Sequence, residues 1–313
     1  MQILAVVVRY KISLEDSDTM RSLKAEYKLC PDLFNDIRVL VWDNSPQSLR
    51  FQGLPDSFEY KHSTENKGVS GAYNGALERA ETLGCPWLLL LDQDTVLPPD
   101  YLQRMLHYSR MLCEETRVAT IVPLVESNGT LISPRRFGLA SRTSQITETK
   151  SKIIKEDGFA ANSGTLMRVS ALRAVGGYSE LFWLDFSDQY VFHLLHKAGQ
   201  VMYLVADLKL RHSLANSDYD RMMSPERYQS YLAAENIFLR MFRSDLMNGA
   251  HNLLLLARAA RQYHRFDNKA FAKLSLRSLW QRLLLSRERG IELWTQELKQ
   301  RNMPLVAEGK SIA

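Results

Sequence analysis

The sequence predicts an α/β fold, a mostly parallel central sheet flanked by helices, followed by a C-terminal helical extension. Three observations carry this. Short β-branched or leucine-rich runs alternate with helix-like segments through the first half, the pattern of strand-helix-strand units. The run LLLL before Asp92 is too apolar for a half-exposed strand and reads as one buried on both faces. From Ser224 onward the periodicity is helical for almost the whole remaining chain.

The first strand is ILAVVV, Ile3 to Val8; the opening MQILAVVVRY lacks a basic lead-in and a small-residue cleavage site, so it reads as a strand and not a signal peptide. IRVLVW, Ile37 to Trp42, is the second, and a further short strand is expected near Phe58 to His62. In VSGAYNGALERAETLG, Ala72, Ala76, Leu77, Ala80 and Leu83 recur at helical spacing, with Gly84 as the stop. PWLLLLD then forms the buried strand. The polar, weakly periodic segment Asn128 to Asp157 reads as an exposed connection over the site or a substrate-dependent loop. VMYLVADLKL is the last strand. These elements divide the chain into a sheet-bearing region, 1–222, and a helical region, 223–313.

Composition narrows the function classes. A chain of 313 residues with 45% hydrophobic and 24% charged residues is globular, and its net charge of +5 is too modest to argue for nucleic acid. Cys30, Cys85 and Cys113 are odd in number and lack C-x-x-C spacing, so neither a disulfide framework nor a structural zinc site is indicated, and a reducing cytoplasm is the expected setting. No apolar stretch approaches the roughly 20 residues needed to cross a bilayer.

Ligands of open α/β sheets bind beyond the carboxyl ends of the strands. That rule selects Tyr10, Asp43 with Asn44, and Asp92 with Asp94. An Asp-x-Asp pair at a strand end can hold a hard divalent cation, Mg2+ or Mn2+, that also binds phosphate oxygens; the alternative is an aspartate capping the following turn. Gly68, Gly71 and Gly75 do not make G-x-G-x-x-G, and no P-loop occurs, so nicotinamide and P-loop chemistry are disfavoured. Those glycines permit ligand approach or close packing. Asp185 and Asp188 follow an aromatic-rich turn, where a carboxylate serves as a general base or as a helix cap. His212 follows the last strand, as a ligand or a packed residue.

Taken together, VWDNSP, NKGVSGAYNGALERA, WLLLLDQDTVLPPDYL, ANSGTLMRVSALRAVGGYSELFWLDFSDQ and the later His212 resemble the inverting glycosyltransferases of family 2 with the Rossmann-like GT-A fold. Within that family the chain looks like the branch that uses dTDP-rhamnose. The resemblance implies that residues 1–222 are the catalytic domain. It also implies residue roles. Asp43 would contact the nucleotide base, and Asn66, Gly68 and Asn74 would line the nucleotide pocket with Tyr10 and Gln93. Asp92 would hold the ribose or diphosphate, Asp94 would be the principal metal ligand, and His212 would approach the metal-bound diphosphate. Asn162, Ser163 and Gly164 would border the sugar and acceptor, and Asp188 would be the catalytic base with Asp185 nearby.

The implied activity is metal-dependent, inverting sugar transfer from a nucleotide diphosphate to a glycan or lipid-linked acceptor in bacterial surface polysaccharide synthesis. The chain departs from the family where an acidic residue and an arginine are common after the base and it has Tyr190 and Leu194, and where an arginine-asparagine pair reads Glu235-Asn236. Those departures motivate the alternative of a degenerate, non-catalytic nucleotide-sugar-binding or assembly protein. A sugar-1-phosphate nucleotidyltransferase would need a glycine-rich loop with a basic residue soon after the first strand, and RYKISLED lacks it.

Residues Gly249 to Arg301 carry eleven Lys or Arg against four acids, interleaved with NLLLLA and LWQRLLL. Such helices can lie on the inner face of an anionic membrane. Their other reading is a helical subdomain or homodimer interface with a solvated basic face.

Overall fold

A computed structural model describes residues 2–48, 54–138, 142–212 and 223–302, apart from the side chains of His212, Arg301 and Asn302. The apolar runs of the first half become β1 (Ile3–Arg9), β2 (Ile37–Asp43), β3 (Phe58–His62) and β4 (Trp87–Asp92), and the intervening periodic segments become α1 (Asp18–Leu29) and α2 (Gly68–Thr82). Helix α2 ends as its sequence predicts. Gly84 takes a φ of +66°, and the amides of Gly84 and Cys85 turn back to the carbonyls of Glu81 and Ala80.

After β4 come β5 (Thr95–Val96), α3 (Tyr101–Met111) and β6 (Val118–Ser127). Short strands β7 (Thr130–Ser133), β8 (Arg135–Phe137), β9 (Thr143–Gln145), β10 (Lys152–Ile154) and β11 (Gly158–Phe159) lead to β12 (Thr165–Arg168), α4 (Val169–Ala174), α5 (Ser187–Lys197) and β13 (Val201–His212). The main sheet runs β10-β13-β6-β12-β4-β1-β2-β3. Pairings β4-β1, β1-β2, β2-β3 and β13-β6 are parallel, while β12 and β10 run against their neighbours.

The four leucines of β4 explain the layering. Leu88 and Leu90 enter a core with α2 and α5, whereas Leu89 and Leu91 enter a second core with α1 and α3. Each fully buried leucine contributes about 1.5–3 kcal/mol, so β4 anchors both layers at once. Asp92 stands where that apolar run stops.

The segment expected to be a loop over the site is different. Residues 128–157 supply β7 to β10, β8 pairs with β9 and β11 in a small second sheet, and Ile146 and Ile154 are buried in the core beside α5. Strands of three or four residues, with two apolar side chains at most, leave no measurable periodicity.

The C-terminal region forms α6 (Pro225–Phe242), α7 (Asp245–Arg265), α8 (Ala270–Leu284) and α9 (Arg287–Asn302). Ser224 and Ser244 cap α6 and α7 by accepting from the amides of Arg227 and Met247. Helix α6 packs its Ala234, Ile237 and Phe238 against Phe182 and Phe186, which precede α5. Among the described residues no helix is long and apolar enough to cross a membrane.

Candidate active site

Three strand ends and two helix starts meet in one cleft of about 510 Å³. Register brings the strand ends together: Arg9 pairs with Asp43 across β1-β2, Val8 pairs with Asp92 across β1-β4, and antiparallel β12 sets Thr165 against Leu90. The turn Asn162–Gly164 is thereby carried beside Asp92. Of the residues singled out in the sequence, Tyr10, Asn66, Gly68, Asp92, Gln93, Asp94, Asn162, Ser163, Asp185 and Asp188 line the cleft.

Asp92 is held from two sides. Its backbone N–H donates to Ser163 Oγ at 2.9 Å, and its Oδ1 accepts from the Tyr73 hydroxyl at 2.9 Å. Burial and the nearby Asp92 charge push the Tyr73 phenol well above its ordinary range, so it remains a donor. Tyr10 is fixed through its backbone N–H, which donates to Gln93 Oε1 at 2.8 Å.

Asp188 sits in the first turn of α5, yet it does not cap that helix. The residue before the helix is Phe186, whose φ of 62° is a strained left-handed conformation for an aromatic side chain. Aromatic packing against Phe238 and Tyr231 of α6 holds Phe186 there. Asp188 opens to the cleft on one side and is walled by protein on the others. Burial pushes its carboxyl up to about 6, helped by the charges of Asp185 and Asp92 and opposed by the Gln189 amide, which donates at 2.7 Å. A carboxylate so placed is ionised at neutral pH and more basic than an ordinary aspartate.

Asp185 is tied to Arg227 of α6 at 2.8 Å. Asn162 bridges the two halves of the wall, donating to Ser187 Oγ at 3.0 Å and accepting from the Tyr178 hydroxyl at 2.8 Å.

Of the other residues selected in the sequence, Asn44 also lines the cleft, and Asp43, Asn74 and Gly164 lie behind its wall. Asp43 is fully buried. Burial pushes its carboxyl up, but hydrogen bonds from Ser45 and Tyr60 and the Arg9 charge outweigh that and hold it below the usual range. Its partner Arg9 reaches the cleft instead. Asn74 exchanges hydrogen bonds with the backbone of Tyr178, both at 2.8 Å, fastening α2 to the approach to α5. Gly164, at φ +87°, packs so closely that a Cβ would fall 2.1 Å from Leu210. The backbone of His212 pairs with Thr95, the residue after Asp94, while its side chain lies outside the described residues.

Gly68 answers to close packing within the site itself, since a Cβ there would fall 2.2 Å from the Trp183 carbonyl oxygen. Gly75 meets Trp42 in the same way. Tyr190 and Leu194 are not part of the cleft wall; Tyr190 packs on Phe182 and Phe242 with ring centroids 5.1 and 5.9 Å away. Glu235 and Asn236 likewise turn into the C-terminal bundle, Glu235 against Arg258 and Asn236 against Ser278.

Sequence reasoning missed Arg9, Tyr73, Trp183, Arg227 and Tyr231, all on the wall or in contact with it. Arg9 was within reach of the strand-end rule, being the last residue of β1. Arg227 and Tyr231 carry no local signal, because tertiary packing alone brings α6 to the cleft.

Among the described residues no group of three or more His, Cys, Asp or Glu is placed to hold a metal. Asp92 and Asp94 supply two hard oxygen donors on one wall, a donor set that suits Mg2+ or Mn2+ when phosphate oxygens complete it.

No curated protein is significantly similar to the chain in sequence. Among solved structures, S. aureus TarS 1-349 is similar, with a TM-score of 0.53 at 13% identity over 96% of this chain and 89% of that one. The same fragment in complex with UDP-GlcNAc gives 0.53 at 14% identity, and in complex with UDP 0.51 at 13%, over the same shares of each chain. At such identities the likeness is one of fold, and the fold is GT-A. Residues 19–176, half of the chain, match the family model Glycosyl transferase family 2, and the chain belongs to that family.

Proposed function

We propose that the chain is an inverting glycosyltransferase that moves rhamnose from dTDP-rhamnose to a glycan or lipid-linked acceptor in bacterial surface polysaccharide synthesis. The observation that carries this reading is the placement of Asp188, with a carboxyl pKa of about 6, in one cleft with Asp92 and Asp94. In this reading Asp188 accepts the proton of the acceptor hydroxyl while that oxygen forms its bond to the anomeric carbon. The bond from that carbon to the diphosphate breaks on the opposite face, and the nucleoside diphosphate leaves with the electron pair. Displacement in a single step inverts the anomeric configuration.

Asp94, with Asp92 beside it and with His212, the last residue of β13, as a further ligand, would hold Mg2+ or Mn2+, which when bound offsets the charge on the departing diphosphate. Tyr10, Asn66, Gly68 and Gln93 form the nucleotide side of the cleft. Asp43 and Asn74 act from behind it, Asp43 by fixing Arg9 and Asn74 by fixing Tyr178. Asn162, Ser163 and Asp185 border the sugar and acceptor, and Gly164 holds their turn against the sheet. Residues 1–222 carry the catalytic groups, and the region from 223 adds Arg227 and Tyr231 to the wall. The setting is the cytoplasm, at the inner face of the membrane where lipid-linked acceptors reside.

A second reading, a non-catalytic nucleotide-sugar-binding or assembly protein, draws on Tyr190 and Leu194. Binding tests the donor, which both readings can share, and product formation, abolished by Asp188→Asn, separates a catalyst from a binding protein. Thermal denaturation is followed with a panel of nucleotide sugars, dTDP-rhamnose and UDP-GlcNAc included, with and without Mg2+ or Mn2+, on wild type and Asp94→Asn. Ligand at 100 times its Kd stabilises the folded form by about 2.7 kcal/mol, a visible shift. A metal-dependent rise with dTDP-rhamnose, lost in Asp94→Asn, supports the proposal. A rise with UDP-GlcNAc alone replaces the donor, and no rise with any of the panel overturns the donor reading. Product formation that survives Asp188→Asn removes the base.

A further inference from the structure

Helices α7 and α8 bury Leu255, Phe271 and Leu279 against Tyr228 and Leu232 of α6, and leave a second apolar set on their outer face. They pack antiparallel, with Asn252 Oδ1 accepting from Arg282 Nε at 2.7 Å toward one end and Gln262 Oε1 accepting from Ser275 Oγ at 2.8 Å toward the other. Several polar side chains are also inside: His251, Gln262, Ser275, Ser278 and Arg282 are buried. A second set of large apolar side chains is outside. Leu246, Leu253 and Leu256 fall on the outward stripe of α7, and Leu276, Trp280 and Leu283 on that of α8. Leu253 is 71% exposed and Trp280 59% exposed, so this is no shallow fringe of a core.

Exposed leucines scattered singly need no account, but two aligned stripes on one hairpin mark an interaction surface. Charge decides its partner. Arg261, Arg265, Lys269, Lys273 and Arg277 are exposed around the stripes, and between Leu246 and Arg287 the sequence holds one acid, Asp267, in the connecting turn. A two-fold pairing of this face with its own copy would set cation against cation with almost nothing to neutralise them. An anionic lipid surface offers what the face lacks. Headgroup phosphates meet the Lys and Arg, the leucines enter the acyl boundary, and a tryptophan indole suits the interface between the two.

We infer that the outer face of the α7-α8 hairpin docks the protein on a bilayer rich in anionic phospholipid. This assignment stands apart from the donor reading, since no residue of the face lines the cleft. The test is co-sedimentation of the full chain with vesicles of phosphatidylcholine alone and of phosphatidylcholine mixed with phosphatidylglycerol.

Wild type is expected to bind the mixed vesicles, to bind the neutral ones weakly, and to release as salt is raised. Lys273→Glu with Arg277→Glu should weaken binding roughly fivefold or more per lost cation. Leu253→Ser with Leu283→Ser should weaken it at least about tenfold. Because all four side chains are exposed, melting temperatures should stay close to wild type, which separates lost docking from lost folding. The emission of Trp280 gives an independent readout: vesicles should shift wild-type fluorescence to the blue, and Trp280→Phe should reduce that shift while still binding. Failure of wild type to bind mixed vesicles, or binding indifferent to both pairs of substitutions, overturns the inference. So does a monomer-dimer equilibrium in ultracentrifugation that Leu253→Ser with Leu283→Ser abolishes, which would make the partner a second copy.

Discussion

Arg227 donates from Nη2 to Asp185 Oδ1 over 2.8 Å, joining the first turn of α6 to the turn that leads into the helix of Asp188. Burial pushes the Asp185 carboxyl up and the Arg227 charge partly offsets it. Asp185 in turn raises Asp188. Burial is the larger cause of that rise, and the Arg227-Asp185 pair adjusts it from the C-terminal region.

Arg227→Met should therefore do two things. It leaves a carboxyl with 10% exposure unpaired, at a cost of about 2 kcal/mol in stability. It also lets Asp185 hold a proton to higher pH, which lessens the repulsion on Asp188 and moves the acid limb of the activity profile to lower pH. A pH-rate profile checks this; an unchanged acid limb would show that Arg227 acts only as a structural tie.

Asp188→Asn separates chemistry from stability. Loss of the base should lower kcat by about 10²–10⁴ while donor binding survives. For wild type, kcat/KM should fall about tenfold per pH unit below the carboxyl pKa of about 6, since only the carboxylate can accept the proton. The stability sign runs opposite to that of a salt-bridged aspartate. A carboxyl whose folded pKa is raised from 3.8 to about 6 binds more protons folded than unfolded, so its stabilising contribution is lost as pH rises across that window. At neutral pH the asparagine variant should melt higher, by at most about 3 kcal/mol because the cleft admits water. Thermal melts at pH 5 and pH 7 check it.

How much of this was written in the sequence depends on how local each cause is. The sheet was legible because β4 carries four consecutive leucines where strands and helices alternate, and because Asp92 ends that run; the same run at Leu253 to Leu256 is helical in α7, so the flanks and not the leucines alone decide. The strand-end rule then reached Tyr10 and Asp94 directly. It could not say which side of the wall a carboxylate would face: Asp43 follows the same rule, yet its oxygens are taken up by Arg9, Tyr60 and Ser45. Arg227 and Tyr231 were invisible because their place depends on Phe182 and Phe186 packing into α6, a contact between distant segments. The short strands of residues 128–157 escaped for the converse reason, being too brief to display a period.

Gly68 tests whether the start of α2 is shaped for the site. Its carbonyl accepts from Asn44 Nδ2 at 2.9 Å, its φ is +67°, and its α-carbon faces the Trp183 backbone. Gly68→Ala should cost about 1–2 kcal/mol for the left-handed backbone and more for displacing Trp183, and should weaken nucleotide-sugar binding. Gly84→Ala is the control. It has nearly the same φ, +66°, but nothing within 4 Å of the added carbon, so it should show the backbone penalty alone and bind normally. Equal losses of binding in both would mean that general destabilisation, not the approach to Trp183, is the cause.

Glu235 stands where an arginine is common in the family, and its geometry says why the exchange leaves the cleft intact. The carboxylate is buried on the α7 side of α6, accepting two hydrogen bonds from Arg258 at 2.8 and 2.9 Å. Burial pushes its carboxyl up, but Arg258, with His251 beside it, outweighs that and holds it well below the usual range. A depressed pKa contributes stability that is present above the unfolded value of 4.5 and is lost as pH falls toward the folded one. Glu235→Gln should therefore cost about 3 kcal/mol at neutral pH and flatten the acid dependence of melting, by leaving Arg258 charged and poorly paired. Adding Arg258→Met should restore much of the loss, because removing both members of a buried pair exchanges desolvated charge for apolar contact. The pair is one of several ties between α6 and the α7-α8 hairpin, beside Asn236 with Ser278 and Tyr228 with Ser275, so Glu235→Gln should disturb docking on anionic vesicles before it disturbs nucleotide-sugar binding. Binding lost first at the nucleotide site would instead place Glu235 in the machinery of the cleft.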